Sequence, residues 1–225
     1  MTSADVGLRE LKKQETRQLI SDKATLLFIE KGFEETTIAE IATAARVAKK
    51  TVTNYFARKE DLALDQHEEF TNGLANAVRD RKPGESALAA LRRTFLDALA
   101  EHSPVIGFTG TAFATMVLES PTLTARLREL HELREEALAV LLTTETGADT
   151  DDVTPVMAAA ELNAIDRVLF REVLRRSHSG ESDAEIAEAL TKAAQRAFEL
   201  LEPAFGDYAI REQVSDSCPP SPPRR

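Results

Sequence analysis

Five basic side chains lie close together in the run AARVAKKTVTNYFARKEDL, which spans residues 44–62. They are Arg46, Lys49, Lys50, Arg58 and Lys59, and no acidic residue lies between them. Lys and Arg can neutralise phosphates and release counterions, while the amino end of a helix offers free N–H groups to a phosphate or to base edges. The run therefore indicates a DNA-facing surface, although a basic run is also typical of a solvated face. The candidates for groove contacts are Lys49, Lys50, Thr51, Thr53 and Asn54.

The distribution of charge fits such a surface better than the total charge does. The 225 residues carry a net charge of −10, which by itself argues against a nucleic-acid partner. Residues 1–60 carry eleven Lys or Arg and nine Asp or Glu, a balance of +2 that leaves −12 for the remainder. This asymmetry predicts a basic amino-terminal part, the head, followed by an acidic larger part, the body. The head comprises about the first 60 residues and the body the remainder.

Residue types that carry other chemistry are scarce. Cys218 is the single cysteine, so no disulfide pair or zinc cluster is available. The four histidines have no paired metal-ligand spacing, and the sequence has neither a glycine-rich phosphate loop nor a nucleophile motif. We therefore expect a protein that is not an enzyme, without metal or cofactor. No apolar run approaches the roughly 18 residues of a membrane span and the start lacks a signal peptide, so we expect a cytoplasmic protein with no membrane partner.

Helical periodicity runs through almost the whole chain. Ala and Leu recur at spacings of three and four residues, as at Leu88, Leu91, Phe95 and Leu99, whereas strand-forming residues are sparse. Gly, Pro and Ser mark the helix ends. The Pro- and Ser-rich tail, residues 206–225, is predicted to be disordered. The pattern predicts an all-α fold with about nine helices, at residues 10–31, 37–44, 48–54, 58–80, 85–101, 104–118, 121–145, 153–176 and 183–202.

The first three helices have the spacing of a helix-turn-helix. Gly32 can adopt the left-handed conformation that ends the first helix. Thr37 and Glu40 have the spacing of a capping box, which begins a short second helix. Ala45 then stands where two helices must approach closely, and Val47 follows the tight turn. This spacing favours DNA binding over a merely solvated basic face. The buried face of the first helix is predicted to consist of Leu19, Ile20, Ala24, Leu27 and Phe28.

Residues 16–62 resemble the DNA-binding domain of the TetR family of bacterial transcriptional regulators. The resemblance implies a helix-turn-helix domain over residues 10–62, preceded by a flexible arm over residues 1–9. It also implies a ligand-binding and dimerisation domain over residues 63–205. The residues that carry the resemblance are Thr37-Ile-x-x-Ile-Ala, Val47, Lys49-x-Thr51, Tyr55-Phe56 and Lys59-Glu-Asp-Leu62.

The resemblance also implies roles for individual side chains. Tyr55 and Lys59 would clamp the DNA backbone, and Thr16, Arg17 and Thr37 would add phosphate contacts. Phosphate contacts position a protein on DNA, whereas base contacts choose the sequence. The candidates for base contacts are Lys49, Lys50, Thr53 and Asn54.

Two positions depart from the family pattern, and two alternatives stay open. Arg46 takes a turn position that is usually glycine, so we expect it in left-handed space at a cost of about 1 kcal/mol. Ala48 stands where Ser or Thr often caps the third helix, so a cap worth roughly 1 kcal/mol is absent. Tyr55 is also compatible with a packing role. The basic residues at positions 9–13 are compatible with either a minor-groove arm or a solvated start.

Two apolar stripes lie on the predicted helix 153–176. One runs from Met157 to Val168 and the other from Leu162 to Val173. A face this wide can serve both the subunit core and a neighbouring copy, and with the Ala-rich helix 183–202 it resembles the family's four-helix dimer interface. The alternative is that these helices are buried within one subunit. The resemblance therefore implies a homodimer through Leu162, Ile165, Leu169, Val173, Ile186, Leu190, Ala193 and Ala197.

The resemblance also places a ligand cavity, whose segments contain no Trp and few polar residues. The cavity should therefore be apolar, and the effector a lipophilic small molecule. The implied function is a repressor that such a molecule releases from a palindromic DNA operator. A helical dimeric scaffold without regulated DNA binding is the alternative, but it leaves the basic run unexplained. The predicted lining is Phe95, Leu99, Phe108, Phe113, Met116, Val117, Leu130, Leu133 and Met157, with His102, Asn163 and Asp166 as polar candidates.

Overall fold

The computed structural model describes residues 3–212, with side chains described from residue 9 onward. Over this part of the chain the backbone forms ten α-helices, a short 3-10 turn at Pro104–Ile106 and no strand, which confirms the predicted all-α class. The helices are α1 (Ser3–Lys31), α2 (Ile38–Ala44), α3 (Lys49–Tyr55), α4 (Glu60–Ala63), α5 (His67–Arg79), α6 (Ala87–Ala100), α7 (Gly110–Glu119), α8 (Pro121–Thr146), α9 (Thr154–His178) and α10 (Asp183–Phe205).

Two predicted helices are broken in the structure. The predicted helix 58–80 divides into α4 and α5, because Leu64 leaves helical backbone at φ −109° and ψ 55°. The predicted helix 104–118 divides into the 3-10 turn and α7 at Gly107, whose φ is 110°. A Cβ at Gly107 would lie 3.2 Å from the Val173 side chain, so glycine suits both the conformation and the close packing.

The first helix begins earlier than predicted. It starts at Ser3 rather than at residue 10, so the part of the predicted flexible arm that the structure describes is helical. Residues 9–14, RELKKQ, are strong helix formers. They let the helix extend toward the amino terminus beyond the residues that pack. The first two residues of the predicted arm lie outside the described residues.

The apolar faces of α1 to α4 form a head core that continues onto α7, α8 and α9. Ile20, Ala24 and Phe28 are buried in it, as predicted. Leu19 is 45% exposed, because burial on α1 follows the spacing 20, 24, 28 and turns the preceding residue outward. Since head and body share this core, a change in the body can be transmitted by packing to α2 and α3.

A second core, the body core, lies between α5, α6, α8, α9 and α10. It corrects part of the predicted dimer interface, because five of the eight predicted residues pack within one chain. Ile165 and Ala197 are half-buried and Ala193 is exposed. The predicted interface residues that are buried in the body core are Leu162, Leu169, Val173, Ile186 and Leu190.

The other stripe of α9 faces outward instead. Met157 and Val168 are 53% and 60% exposed, and Leu200 on α10 is 75% exposed. Ala160 and Ala164 lie between the first two on the same stripe and are half-buried. The apolar face available to a second copy of the chain is therefore the Met157 to Val168 stripe together with the outer side of α10.

Residues 206–212 are ordered, so the predicted disorder does not extend to them. The Arg211 N–H donates to the Glu85 carbonyl oxygen at 3.0 Å, and the Gly84 N–H donates to the Arg211 carbonyl oxygen at 2.8 Å. Arg81 Nε donates to the Ala209 carbonyl oxygen at 3.1 Å. These bonds tie residues 209–211 to the connection between α5 and α6. The remainder of the predicted tail, with Cys218, lies outside the described residues.

Within residues 3–212, none of the helices is both long and apolar enough to cross a membrane. The same part of the chain brings together no group of three His, Cys, Asp or Glu side chains that could hold a metal ion.

Candidate DNA-binding surface and effector cavity

The second helix begins with the predicted capping box. Thr37 Oγ1 accepts a hydrogen bond from the Glu40 N–H at 3.3 Å, and the Thr37 N–H donates to Glu40 Oε2 at 2.8 Å. Lys31 Nζ donates to Glu40 Oε1 at 2.8 Å, and this bond, with those from Thr37, lowers the pKa of Glu40 to about 2. Thr37 is exposed, as a phosphate contact would require, but its hydroxyl already faces the Glu40 carboxylate.

The turn before the third helix shows both of the predicted departures from the family pattern. Arg46 has a φ of 56°, in left-handed space, and Ala48 caps α3 without a side-chain hydrogen bond. On α3 itself, Val52 is buried in the head core and the opposite side is exposed. The third helix therefore has one core side and one polar, basic side. The exposed side contains Lys49, Lys50, Thr53 and Asn54, whereas Thr51 and Tyr55 are half-buried.

Arg17 holds the head together rather than pointing at a phosphate. Its Nη1 donates to the Tyr55 carbonyl oxygen at 3.1 Å and its Nη2 to the Asp65 carbonyl oxygen at 3.2 Å. The guanidinium also lies 4.6 Å above the centre of the Phe56 ring. These three contacts replace the predicted phosphate role with a structural one. Thr16, one residue earlier, is half-buried and donates its hydroxyl to the Lys12 carbonyl oxygen at 2.8 Å.

Lys59 is positioned by contacts along its side chain. Its Nζ donates to the Glu34 carbonyl oxygen at 3.1 Å and lies 4.5 Å above the Phe33 ring. Arg58 beside it forms an ion pair with Glu129 of α8, with 2.7 Å between Nη1 and Oε2. Arg58 therefore links the head to α8, whereas Lys59 contacts the connection between α1 and α2 within the head.

We expect Lys59→Met to weaken binding to duplex DNA of any sequence, because it removes a charge while keeping an apolar stem over Phe33. Each phosphate contact contributes about 0.9 to the slope of log affinity against log salt, so a dimer should lose roughly two units. Fluorescence anisotropy between low and moderate salt measures the slope. Lys82→Met, at an exposed lysine in the connection between α5 and α6, is the matched control. An unchanged slope for Lys59→Met would remove the phosphate clamp from the assignment.

A cavity of about 540 Å³ lies between the head and the body. We call it the effector cavity. Its wall is formed by α1, the junction of α4 with α5, the 3-10 turn and the facing parts of α7, α8 and α9. Phe113, Val117 and Leu130, which were predicted to line a ligand cavity, do line this one. The sequence did not predict that α1 and residues 63–67 would form part of the wall.

A second cavity of about 370 Å³ lies in the body, lined mainly by α5 and α6, with the 3-10 turn, Arg134 of α8 and Asp166 of α9. It contains Phe95 and Asp166 from the predicted set. Asp166 is buried and accepts a hydrogen bond from Arg134 Nη2 at 3.2 Å. Burial raises the pKa of Asp166, and the Arg134 guanidinium opposes this shift. The second cavity is therefore more polar than the first.

The remaining predicted ligand residues line neither of these two cavities. Leu99, Phe108, Met116 and Asn163 are buried among other side chains of the cores. His102, Leu133 and Met157 are exposed, so the helical positions assigned to them in the cavity wall were wrong. His102 stands in left-handed backbone with a φ of 51° and packs on Phe108, with 5.2 Å between ring centres.

A chain of contacts joins the effector cavity to the third helix. Asp65 lines the cavity, its side-chain Oδ2 accepts a hydrogen bond from Ser21 Oγ at 2.6 Å, and its carbonyl oxygen holds Arg17. Arg17 in turn holds the carbonyl oxygen of Tyr55, the last residue of α3. A displacement of the α4–α5 junction therefore moves groups bonded directly to α3.

Buried and exposed ion pairs tie α8 to the same head. Arg126 donates to Asp61 Oδ1 from Nη2 at 2.9 Å, and both side chains are almost fully buried. Arg126 Nη1 also pairs with Glu129 at 2.9 Å, and Glu129 pairs with Arg58. Because α8 borders the effector cavity through Leu127 and Leu130, it offers a second connection between cavity and head.

Comparison with known proteins extends the likeness over nearly the whole chain. Residues 20–65 match the family model of bacterial regulatory proteins, tetR family. The chain is 32% identical over 209 residues to TcmR, an HTH-type transcriptional regulator of Streptomyces glaucescens, and the match covers 90% of each protein.

Solved structures share the fold. NalD, the secondary repressor of the MexAB-OprM multidrug efflux pump in Pseudomonas aeruginosa, matches with a TM-score of 0.52 and 21% identity, covering 83% of this chain and 96% of NalD. SmeT in its complex with triclosan matches with a TM-score of 0.55 and 17% identity. This match covers 94% of this chain and 100% of the SmeT chain. The arrangement of head and body is therefore shared with these proteins.

Proposed function

Because the chain belongs to the TetR family of bacterial regulatory proteins and is a DNA-binding transcriptional regulator, we propose that it is a homodimeric repressor that a lipophilic small molecule releases from its operator. The head binds the DNA through the exposed side of α3, with Lys49, Lys50, Thr53 and Asn54 next to the bases. Tyr55 and Lys59 contact the backbone on the flank of that helix.

One observation carries the regulated part of the proposal: the wall of the effector cavity includes Asp65, which is hydrogen-bonded to α1 and, through Arg17, to the end of α3. A molecule that fills the cavity presses on the α4–α5 junction. The junction then shifts α3 and changes the distance between the two recognition helices of a dimer. Such a ligand releases DNA only if it binds the DNA-incompetent arrangement more tightly.

The outward stripe of α9 and the outer side of α10 support the homodimer. Small residues, Ala160 and Ala164, lie between Met157 and Val168 and allow two helices to approach closely. In a symmetric dimer this patch meets its own copy, which produces a four-helix contact. The two recognition helices then read half-sites about 34–36 Å apart or a multiple of that distance, so the operator is close to palindromic.

The test has two steps. A duplex that binds tightly is first selected from random sequence, and lipophilic molecules that raise the melting temperature of the protein are identified. Operator affinity is then measured with and without a saturating concentration of each molecule. We expect a 5- to 150-fold loss of affinity, which corresponds to a coupling of about 1–3 kcal/mol. Operator DNA must weaken ligand binding by the same factor. Independent binding of ligand and operator in calorimetry would refute the release mechanism and leave the DNA-binding assignment intact.

A further inference from the structure

Three aromatic rings stand at the inner end of the effector cavity. Phe70 and Phe170 line the cavity, and their ring centres lie 5.5 Å apart. His131 of α8 packs edge-on against both, with ring centres 5.0 Å and 5.5 Å away. His131 therefore does not line the cavity itself but contacts two of the rings that do. On the far side, the Arg134 guanidinium lies 4.4 Å above the Phe70 ring and lines the second cavity.

This small region holds several buried polar atoms without partners. His131 is 4% exposed, and neither of its ring nitrogens has a hydrogen-bond partner among residues 9–212. Over the same residues, Arg134 Nε and Asn163 Oδ1 are also unpaired. Each buried group of this kind costs about 1–3 kcal/mol, so such groups are rare in native proteins. Asn163 Nδ2 donates to the His131 carbonyl oxygen at 3.2 Å, and Arg134 is one helical turn from His131.

The protonation of His131 and the pairing of Arg134 indicate which ligand atoms would satisfy the unpaired groups. Burial, with help from the positive charges of Arg134, Arg167 and Arg171, lowers the pKa of His131 to about 3. The ring is therefore neutral near pH 7 and offers one N–H donor and one acceptor nitrogen. Arg134 already pairs with Asp166 at 3.2 Å, so a ligand need not supply a partner for that guanidinium. A hydroxyl both donates and accepts, and it satisfies either tautomer of the imidazole.

We propose that His131 is the polar end of the effector site and binds a hydroxyl group carried by an aromatic, lipophilic effector. This inference rests on the proposed function only in taking the same cavity as the effector site. The flat body of the molecule occupies the apolar cavity and stacks against Phe170. Its hydroxyl reaches His131 when the Phe70 ring turns aside. The Phe70 backbone need not move, because its carbonyl oxygen accepts from Arg134 Nη1 at 2.6 Å and stays fixed on α8.

Two small probes of similar shape test the site without knowledge of the natural effector. They are 2-naphthol, which carries a hydroxyl, and 2-methylnaphthalene, which carries a methyl group at the same position. His131→Phe keeps the aromatic packing and removes the hydrogen-bonding nitrogens. We expect this change to lower the affinity for 2-naphthol about tenfold, the effect of one buried hydrogen bond. Affinity for 2-methylnaphthalene should stay within about twofold. Both are measured by calorimetry without DNA, and His178→Phe, at an exposed histidine, is the control.

A second variant and a second readout keep the outcome decisive. His131→Leu also lacks the nitrogens, and it replaces His131→Phe if circular dichroism shows that the phenylalanine variant is misfolded. An equal loss of affinity for both probes would show that His131 only packs. An unchanged affinity for 2-naphthol would show that the nitrogens of His131 are satisfied without the ligand. Either result overturns the inference, as does failure of the unaltered protein to bind 2-naphthol. A His131-dependent preference without any effect on operator affinity would support the site and count against effector-driven release.

Discussion

Val168→Glu is expected to produce monomers and to lower operator affinity at least about hundredfold, because a bivalent contact with two half-sites becomes a single one. Val168 is 60% exposed on the outward stripe of α9. At a two-fold axis the change places two carboxylates in the same apolar contact. Each loses its water, and the like charges repel across the axis. The fold of the single chain should survive, since the side chain does not contribute to either core.

Light scattering and operator titration measure the two effects. Val140→Glu is the matched control, because Val140 is also a largely exposed valine, 62%, but lies on α8 away from the outward stripe. Ile165 is a poorer target, since it packs against the body core and its replacement by glutamate would disturb the subunit itself. A Val168→Glu protein that remains dimeric at micromolar concentration would move the interface elsewhere. A wild-type protein that is monomeric would reject the dimer altogether.

The helix-turn-helix could be predicted because its determinants are local. The capping box joins Thr37 to Glu40, three residues apart, and the strained turn depends on Arg46 alone. The missing cap at Ala48 likewise follows from one residue type. Side-chain spacing within about one helical turn decides such features, so no knowledge of the rest of the fold is needed.

The two helix breaks could not be predicted because their causes are distant in sequence. Helical periodicity continues through residues 58–80, yet Asp65 is drawn to Ser21, 44 residues earlier, and the helix divides there. Gly107 interrupts the next predicted helix where it packs against Val173. Local patterns identify which residues favour a helix, but a tertiary contact decides where the helix stops.

The same limit applies to the candidate sites. The two apolar stripes of α9 cannot be told apart in the sequence. The packing of α9 between α8 and α10 decides that Leu162 is buried and that Val168 faces outward. Arg17 had the charge of a phosphate ligand, but the carbonyl oxygens of Tyr55 and Asp65 hold it. The four histidines, His131 among them, have no metal-ligand spacing in the sequence, and the contacts that surround His131 come from residues far along the chain, such as Phe170. A lone buried histidine has no signature in sequence.

Phe113→Trp is expected to separate effector binding from DNA binding. The Phe113 side chain is half-buried and lines the effector cavity from α7. An indole there occupies space that the effector would fill, and forcing extra atoms into a fitted site costs about 1–3 kcal/mol. Effector affinity should therefore fall 5- to 150-fold, and half-maximal release from the operator should need that much more effector. Operator affinity without effector should change less than about twofold, since α3 and its contacts with Arg17 are unaltered.

Anisotropy titrations of effector into the operator complex provide the measurement, with Leu133→Trp as control because Leu133 is 42% exposed and lines a surface groove away from this cavity. A Phe113→Trp protein that responds like the wild type would mean that the effector binds elsewhere. A variant that binds effector with unchanged affinity but no longer releases DNA would leave the cavity in place and locate the defect in the relay. Reciprocity separates these cases. If the coupling is lost, operator no longer changes the affinity for effector. If only the site is weakened, the ratio of effector affinities with and without operator stays the same, although both affinities are lower. The effector cavity and the Asp65–Arg17 connection are thus tested by different quantities, a dissociation constant and a ratio of two such constants.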